Sequence, residues 1–293
     1  MIFILITTSF FLGFLSNYTT KKLQINMPPG NIAYGLYSVV TSLIAGVSYV
    51  AMTKFNPYLN GTIVLISFIY AIICISSFPV TFASLEHNGI FLGSIFSMAG
   101  SNVLPMIMSY ILFREKQSYA TIACALCILV ASSLPMINKK KEKKVSPAGL
   151  FYALMLFLIS GAAVTIVKIT SELCGSESVL TLNFMTNVFM FFLSLLWILF
   201  LVIKNKTPDK IKEFRPFHYL MTFVVSFSGA VAGYIATCMY AIVDVVPSII
   251  ISASVNTLVT VTASLAYREK FRKRYILCII LSLISTILPA VFN

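Results

Sequence analysis

The sequence predicts an all-α integral membrane protein with ten transmembrane helices arranged as two inverted five-helix repeats. Three observations carry that expectation: charges spaced to leave ten long uncharged windows, a motif set that recurs at one fixed separation, and an odd number of spans per copy. The 293 residues are 59% hydrophobic and 10% charged, with a mean hydropathy of +0.95. Ordinary soluble domains carry about 25% charged residues, so a water-soluble globule is excluded. A helix of about 20 residues crosses the ~30 Å hydrocarbon core, and each window has room for one. Continuous apolar runs are the opposite of the short alternating segments of a membrane β-barrel.

Taken in order, the first helix is expected over about 2–20. It starts without a basic leader segment and is followed by Lys21-Lys22, so it reads as a first span and not as a cleavable signal. Pro28-Pro29-Gly30 turns the chain into a second helix at 31–53. Asn56-Pro57 and Asn60-Gly61 lead into a third at 62–83. The fourth, 89–112, carries Gly89-x-x-x-Gly93, Asn102 and Pro105, whose missing N–H predicts a kink. The fifth, 118–137, contains Cys124-x-x-Cys127 in apolar surroundings that would not stabilise a thiolate. Helices at 148–170 and 247–267 open near Pro147 and Pro247, where a missing N–H costs little. Those at 178–203, 217–240 and 274–291 complete the set. The small-residue pairs at Gly89/Gly93 and Gly229/Gly233 predict close helix contacts.

The repeat is visible in register. Asn102, Arg114-Glu115-Lys116 and Leu134-Pro135 recur 154 positions later as Asn256, Arg268-Glu269-Lys270 and Leu288-Pro289. Shared apolar composition would match leucines, not an Asn, an Arg-Glu-Lys and a Leu-Pro together. A weaker echo relates Phe11-Leu12, Thr19 and Lys22 to Phe157-Leu158, Thr165 and Lys168. Two repeats follow, 1–145 and 146–293, joined near Lys139–Lys144. Because five spans end on the opposite face from their start, the second copy must be inverted, an architecture common among secondary transporters.

The net charge of +12 is read as membrane anchoring and orientation, with no nucleic-acid partner. Connections after odd-numbered helices carry 17 Lys and Arg, those after even-numbered ones three, with Lys168 near the end of helix six. The positive-inside rule then places the odd connections in the cytoplasm and both termini outside. A multi-pass protein of the cell membrane is expected.

These features resemble the ten-helix, EamA-type branch of the drug/metabolite transporter superfamily, over essentially the whole chain. The resemblance rests on Pro105 ten residues before Glu115 in Phe-Arg-Glu-Lys, on Glu269 in Tyr-Arg-Glu-Lys, and on Phe11-Leu12-Gly13 followed by Lys22. Three positions depart from it. Val259 stands where the second-half proline is expected, Phe11 replaces the usual tryptophan, and the charge count reverses the usual cytoplasmic termini. The small four-helix relatives exchange cationic drugs for protons through a glutamate in their first helix, and the first helix here has no acidic residue. What the resemblance implies is secondary active export of a small solute.

Polar side chains inside a bilayer are costly unless they face protein or water, which selects the candidate binding residues. Asn102 and Asn256 are repeat-related and lie near mid-helix; they either line a solute cavity or hydrogen-bond between helices. Asn183 and Asn187, four residues apart, share a face of helix seven. Tyr37 and Thr41 share one on helix two, and Tyr240 stands near the end of helix eight. Lys168, expected in the last turn of helix six, either contacts an anionic solute group or snorkels and pairs with Glu172. Glu86, His87 and Asp244 fall in connections. No Walker-type glycine loop and no His-Glu-x-x-His motif occurs. An enzyme is therefore not expected, nor a metal or other cofactor, beyond coupling to a proton or ion gradient. The expected partners are the bilayer and a small molecule, and a monomer is compatible with this. The expected function is alternating-access transport of a neutral or zwitterionic, amino-acid-like metabolite. The alternative is efflux of multiple drugs or lipophilic cations through an adaptable cavity of Phe and Met.

Overall fold

A computed structural model of the chain describes residues 2–28, 30–54, 56–114, 119, 122–123, 126–127, 130, 146–175, 177–205, 211, 213–242, 245–268, 276–277 and 280–281. Among these the regular structure is entirely helical: α1 (Ile2–Asn26), α2 (Asn31–Met52), α3 (Gly61–Phe113), α4 (Pro147–Cys174), α5 (Ser178–Asn205), α6 (Pro216–Ile242) and α7 (Val245–Ala266). Five of them hold segments long and apolar enough to cross a membrane: Asn31–Met52, Gly61–Phe113, Pro147–Cys174, Ser178–Lys204 and Pro216–Ile235. The expected fifth and tenth spans lie mostly outside the described residues, as do Glu115, Lys116, Glu269, Lys270 and Cys124.

The expected third and fourth helices form one element of 53 residues. At 1.5 Å per residue that is about 80 Å of helix, more than twice the hydrocarbon thickness. The element is divided at Gly89, whose φ of 72° and ψ of −177° lie in a region reserved to glycine. Its limbs are 61–88 and 90–113. Helical structure continues through Pro105, and the only non-helical backbone inside the element is at Gly89. Gly89 therefore sets the break, while Gly93, one turn on, lies against Leu156 of α4. Two of the expected ends also move outward. α1 continues past Lys21 and Lys22 to Asn26, and α4 continues to Cys174, which leaves Lys168 well short of the last turn.

The chain forms two compact units, each drawing segments from both sequence repeats. One comprises Met1–Phe14, Ala83–Thr165 and Ile235–Asn293; the other comprises Leu15–Phe82 and Ile166–Tyr234.

In the first unit the second limb of α3 and α4 run parallel. Asn88 Nδ2 donates to the Gly149 carbonyl at 2.7 Å, and the hydroxyls of Ser97 and Ser160 meet at 2.7 Å. At the crossing a β-carbon on Gly100 would overlap the Phe157 carbonyl, and one on Gly161 would stand 2.7 Å from the Gly100 carbonyl oxygen. Leu92, Phe96, Ala153 and Phe157 pack around this contact. A second cluster joins Leu85, Ile90 and Ala263 to Phe14 and Tyr267, while Gly13 lies against Val259.

In the second unit α2 and α5 pack antiparallel. Gly35 meets Ile198, the buried hydroxyls of Ser38 and Ser194 are 2.6 Å apart, and Gly46 lies against Asn187. Leu23, Ala33, Tyr37, Phe82 and Phe214 form the unit's core. The Tyr37 ring stands edge-on to Phe78 and Phe82 at 5.0 and 5.2 Å.

Arg114 and Arg268 adopt left-handed φ values of 54° and 53°, the first directly after its helix and the second one residue beyond, and Lys54 after α2 does the same with 53°, a conformation that costs a side-chain-bearing residue about 1–2 kcal/mol. Two of these three residues stand at corresponding positions of the sequence motif that recurs after 154 residues.

Of the small-residue pair expected on α6, Gly233 would place a β-carbon 2.9 Å from the Tyr49 hydroxyl, whereas Gly229 has nothing within 4 Å. Gly100 and Gly229 therefore predict opposite outcomes. Gly100→Ala should lower the thermal midpoint of the detergent-purified protein or prevent its recovery, because backbone cannot move aside, at a cost of about 1–3 kcal/mol or more. Gly229→Ala should leave the midpoint unchanged or raise it by the equivalent of about 0.5–1 kcal/mol. Fluorescence-detected melting of both variants checks this pair.

Candidate functional site

The candidate residues divide between the two units. In the first, Asn102 lies midway along the second limb of α3 and Asn256 midway along α7. Each precedes its left-handed arginine by twelve residues. Asn102 is half-buried and Asn256 is exposed. The Asn102 amide donates to the Met98 carbonyl at 2.7 Å, and Met98 Sδ accepts from the Thr257 hydroxyl at 3.9 Å. Met98 thus connects Asn102 to the residue beside Asn256. No hydrogen bond joins the two asparagines themselves among the described residues.

In the second unit, Asn187 is buried and its Nδ2 donates to the Asn183 carbonyl at 2.8 Å. Asn183 is half-buried on the same face, one turn earlier. Tyr37 is buried among Phe78, Phe82 and Leu23. Thr41 Oγ1, one turn further on, is buried without a hydrogen bond of good geometry, as is Thr186 Oγ1 beside Asn187. α2 therefore presents two faces. Tyr37 points towards α3, while Ser38, Ser42 and Gly46 lie on the side that meets α5. Among the described residues no hydrogen bond links the Tyr37–Thr41 pair to the Asn183–Asn187 pair. Lys168 is half-buried within α4, and Glu172 is exposed. Tyr240 lies near the end of α6, with its side chain outside the described residues.

Most hydroxyls in these helices bond to their own backbone. Thr165, Thr170, Thr222, Ser226, Thr260 and Ser109 each donate to the carbonyl four residues earlier at 2.7–2.9 Å. In an environment without water this satisfies the hydroxyl proton and leaves the oxygen lone pairs available. Among the described residues no group of three or more His, Cys, Asp or Glu side chains is placed to hold a metal ion.

His218 has a role that its position at a span edge did not reveal. It is buried at the start of α6, where its Nδ1 accepts the Arg215 backbone N–H at 2.9 Å. Nε2 stands 2.9 Å from the Asn26 carbonyl at the end of α1. Because one ring nitrogen faces a donor and the other an acceptor, the imidazole is held in its Nε2–H tautomer. The geometry is a capping box with histidine in the third helical position, and Pro216 occupies the first. One ring satisfies polar groups at the ends of two helices. A sequence signal existed in Arg-Pro-Phe-His, but the partner carbonyl is 192 residues away.

The comparisons with known proteins bear on fold alone. No family model matches the chain, and no curated protein matches it. One solved structure, described only as the crystal structure of a protein, aligns over 97% of this chain and 97% of its own, with a TM-score of 0.60 and 14% sequence identity. The chain is thus similar in fold to a solved protein across nearly its whole length.

Removing the shared cap should uncouple both helix ends. His218→Ala is expected to cost about 2–4 kcal/mol, since a lost partner leaves each buried polar group short by about 1–3 kcal/mol. His218→Phe, which keeps ring packing against Phe214, should recover only part of that loss. Melting curves of the two variants in one detergent make the comparison.

Proposed function

We propose that this protein is a secondary active transporter, moving a small neutral or zwitterionic organic metabolite across the cell membrane by alternating access, in the direction of export. The observation that carries the reading is Asn256, an exposed amide at the middle of an apolar helix of 22 residues. A polar side chain in that position is stable where it meets a water-filled cavity or protein, and such positions mark solute pathways. Its repeat-mate Asn102, also at mid-helix and half-buried, gives the same signal. The inverted sequence repeat and the motif resemblance to EamA-type members of the drug/metabolite transporter superfamily support the same class. So does a fold made of long apolar helices. The charge distribution supports termini on the outer face. No step requires a cofactor; coupling to a proton or ion gradient supplies the driving force.

Counterflow in proteoliposomes tests the reading, with amino acids, nucleosides and quaternary ammonium compounds offered at two proton gradients. Asn102→Ala and Asn256→Ala should each reduce uptake of the transported class about tenfold, equivalent to about 1.4 kcal/mol, with protein recovery unchanged. Undiminished uptake in both variants would remove the two asparagines from the pathway.

A further inference from the structure

The orientation of the Asn102 amide follows from chemistry, since a backbone carbonyl only accepts. The group 2.7 Å from the Met98 oxygen must therefore be the amide nitrogen. The same oxygen also accepts from the Ser101 hydroxyl at 3.0 Å. With its NH2 anchored to the helix, Asn102 turns its Oδ1 away from that carbonyl, and this oxygen accepts no hydrogen bond among the described residues. Thr260 continues the pattern on α7. The Thr260 proton goes to the Asn256 carbonyl at 2.8 Å, which leaves its oxygen lone pairs, and the Thr257 hydroxyl lies 3.9 Å from Met98 Sδ. Asn256, exposed, keeps both kinds of group.

We infer that the Asn102 site reads a hydrogen-bond donor. The solute presents an N–H, from an ammonium or an amide, to Asn102 Oδ1, and its carboxylate, where it has one, is not held here. This rests on the transporter reading and sharpens it, since it assigns which end of a zwitterion the mid-membrane amide recognises. An unmet acceptor costs little beside a solvated cavity, whereas a donor lost from the solute leaves that acceptor unpaired in the bound state. Sites of this kind discriminate strongly against analogues lacking the donor. Asn187, whose nitrogen is likewise fixed on the Asn183 carbonyl, shows that the orientation is a repeated habit of these helices.

Butylammonium, its N,N,N-trimethyl analogue and butyrate supply the probes, read by thermal stabilisation of the purified wild-type protein and by competition in counterflow. Butylammonium should act at concentrations at least about tenfold lower than the quaternary analogue, with butyrate inactive. Asn102→Leu should erase the preference and Asn102→Asp, which keeps an acceptor, should retain it. Equal or better action by the quaternary ion or by butyrate overturns the inference, and so does an unchanged preference in Asn102→Leu. An absence of any response to all three probes overturns it too. The wild-type comparison decides alone if a variant fails to fold. Counterflow separates the two levels: uptake of some solute without donor preference sinks this inference only, whereas no uptake across the whole panel sinks the transporter reading with it.

Discussion

Apolar side chains gain almost nothing by leaving lipid for protein, so the hydrophobic effect that holds a soluble core together cannot hold these helices to one another. What remains is close approach, which increases dispersion contacts, and hydrogen bonding between spans. The crossing of α4 with the second limb of α3 shows the first at its limit. Gly100 and Gly161 bring backbone against backbone, and Phe157 presents its carbonyl where any β-carbon would sit. The hydrogen bond between Asn88 and Gly149 and that between Ser97 and Ser160 fix the register of the same pair. The contact between α2 and α5 repeats the scheme in the other unit, with Gly35, Ser38 and Gly46 as the small residues.

The same solvent dictates how polar side chains behave. With no water in the hydrocarbon, a hydroxyl or amide proton must find an oxygen, and the nearest one belongs to its own helix. Thr165, Thr222, Ser226 and Thr260 all take that solution, and Asn102 and Asn187 take it with their amides. This habit has a chemical by-product: the atoms left over are acceptors. Among the described residues Thr41, Thr186 and Ser264 are the exceptions, with buried hydroxyls that make no hydrogen bond of good geometry.

The compact units do not follow the repeats. Each takes part of both, and α1, α4 and α6 each run from one unit into the other, as does the first limb of α3. Sequence homology between two stretches records how a chain arose; compactness records which segments pack, and helices that pack need not be neighbours in sequence. Arg114 and Arg268, at corresponding positions of the recurring motif, both take left-handed φ values, as Lys54 does outside it.

Spans and turns were legible from the residues because they depend on local physics. Helix boundaries at α2, α5, α6 and α7 fall within a residue or two of expectation, since uncharged length and Gly, Pro or Asn punctuation fix them. The Asn102/Asn256 correspondence was equally legible, because a fixed separation of 154 needs no structure to detect. Tertiary structure alone decided the rest. It narrowed the expected boundary between the third and fourth spans to the single residue Gly89, whose backbone angles interrupt the helix while helical structure runs on through Pro105. It turned Tyr37 towards Phe78 and Phe82 and away from the Asn187 side of α2, a rotation that periodicity leaves open when both faces carry polar groups. It gave His218 a carbonyl at Asn26 to cap, a pairing between residues too far apart in the chain for any local pattern to announce.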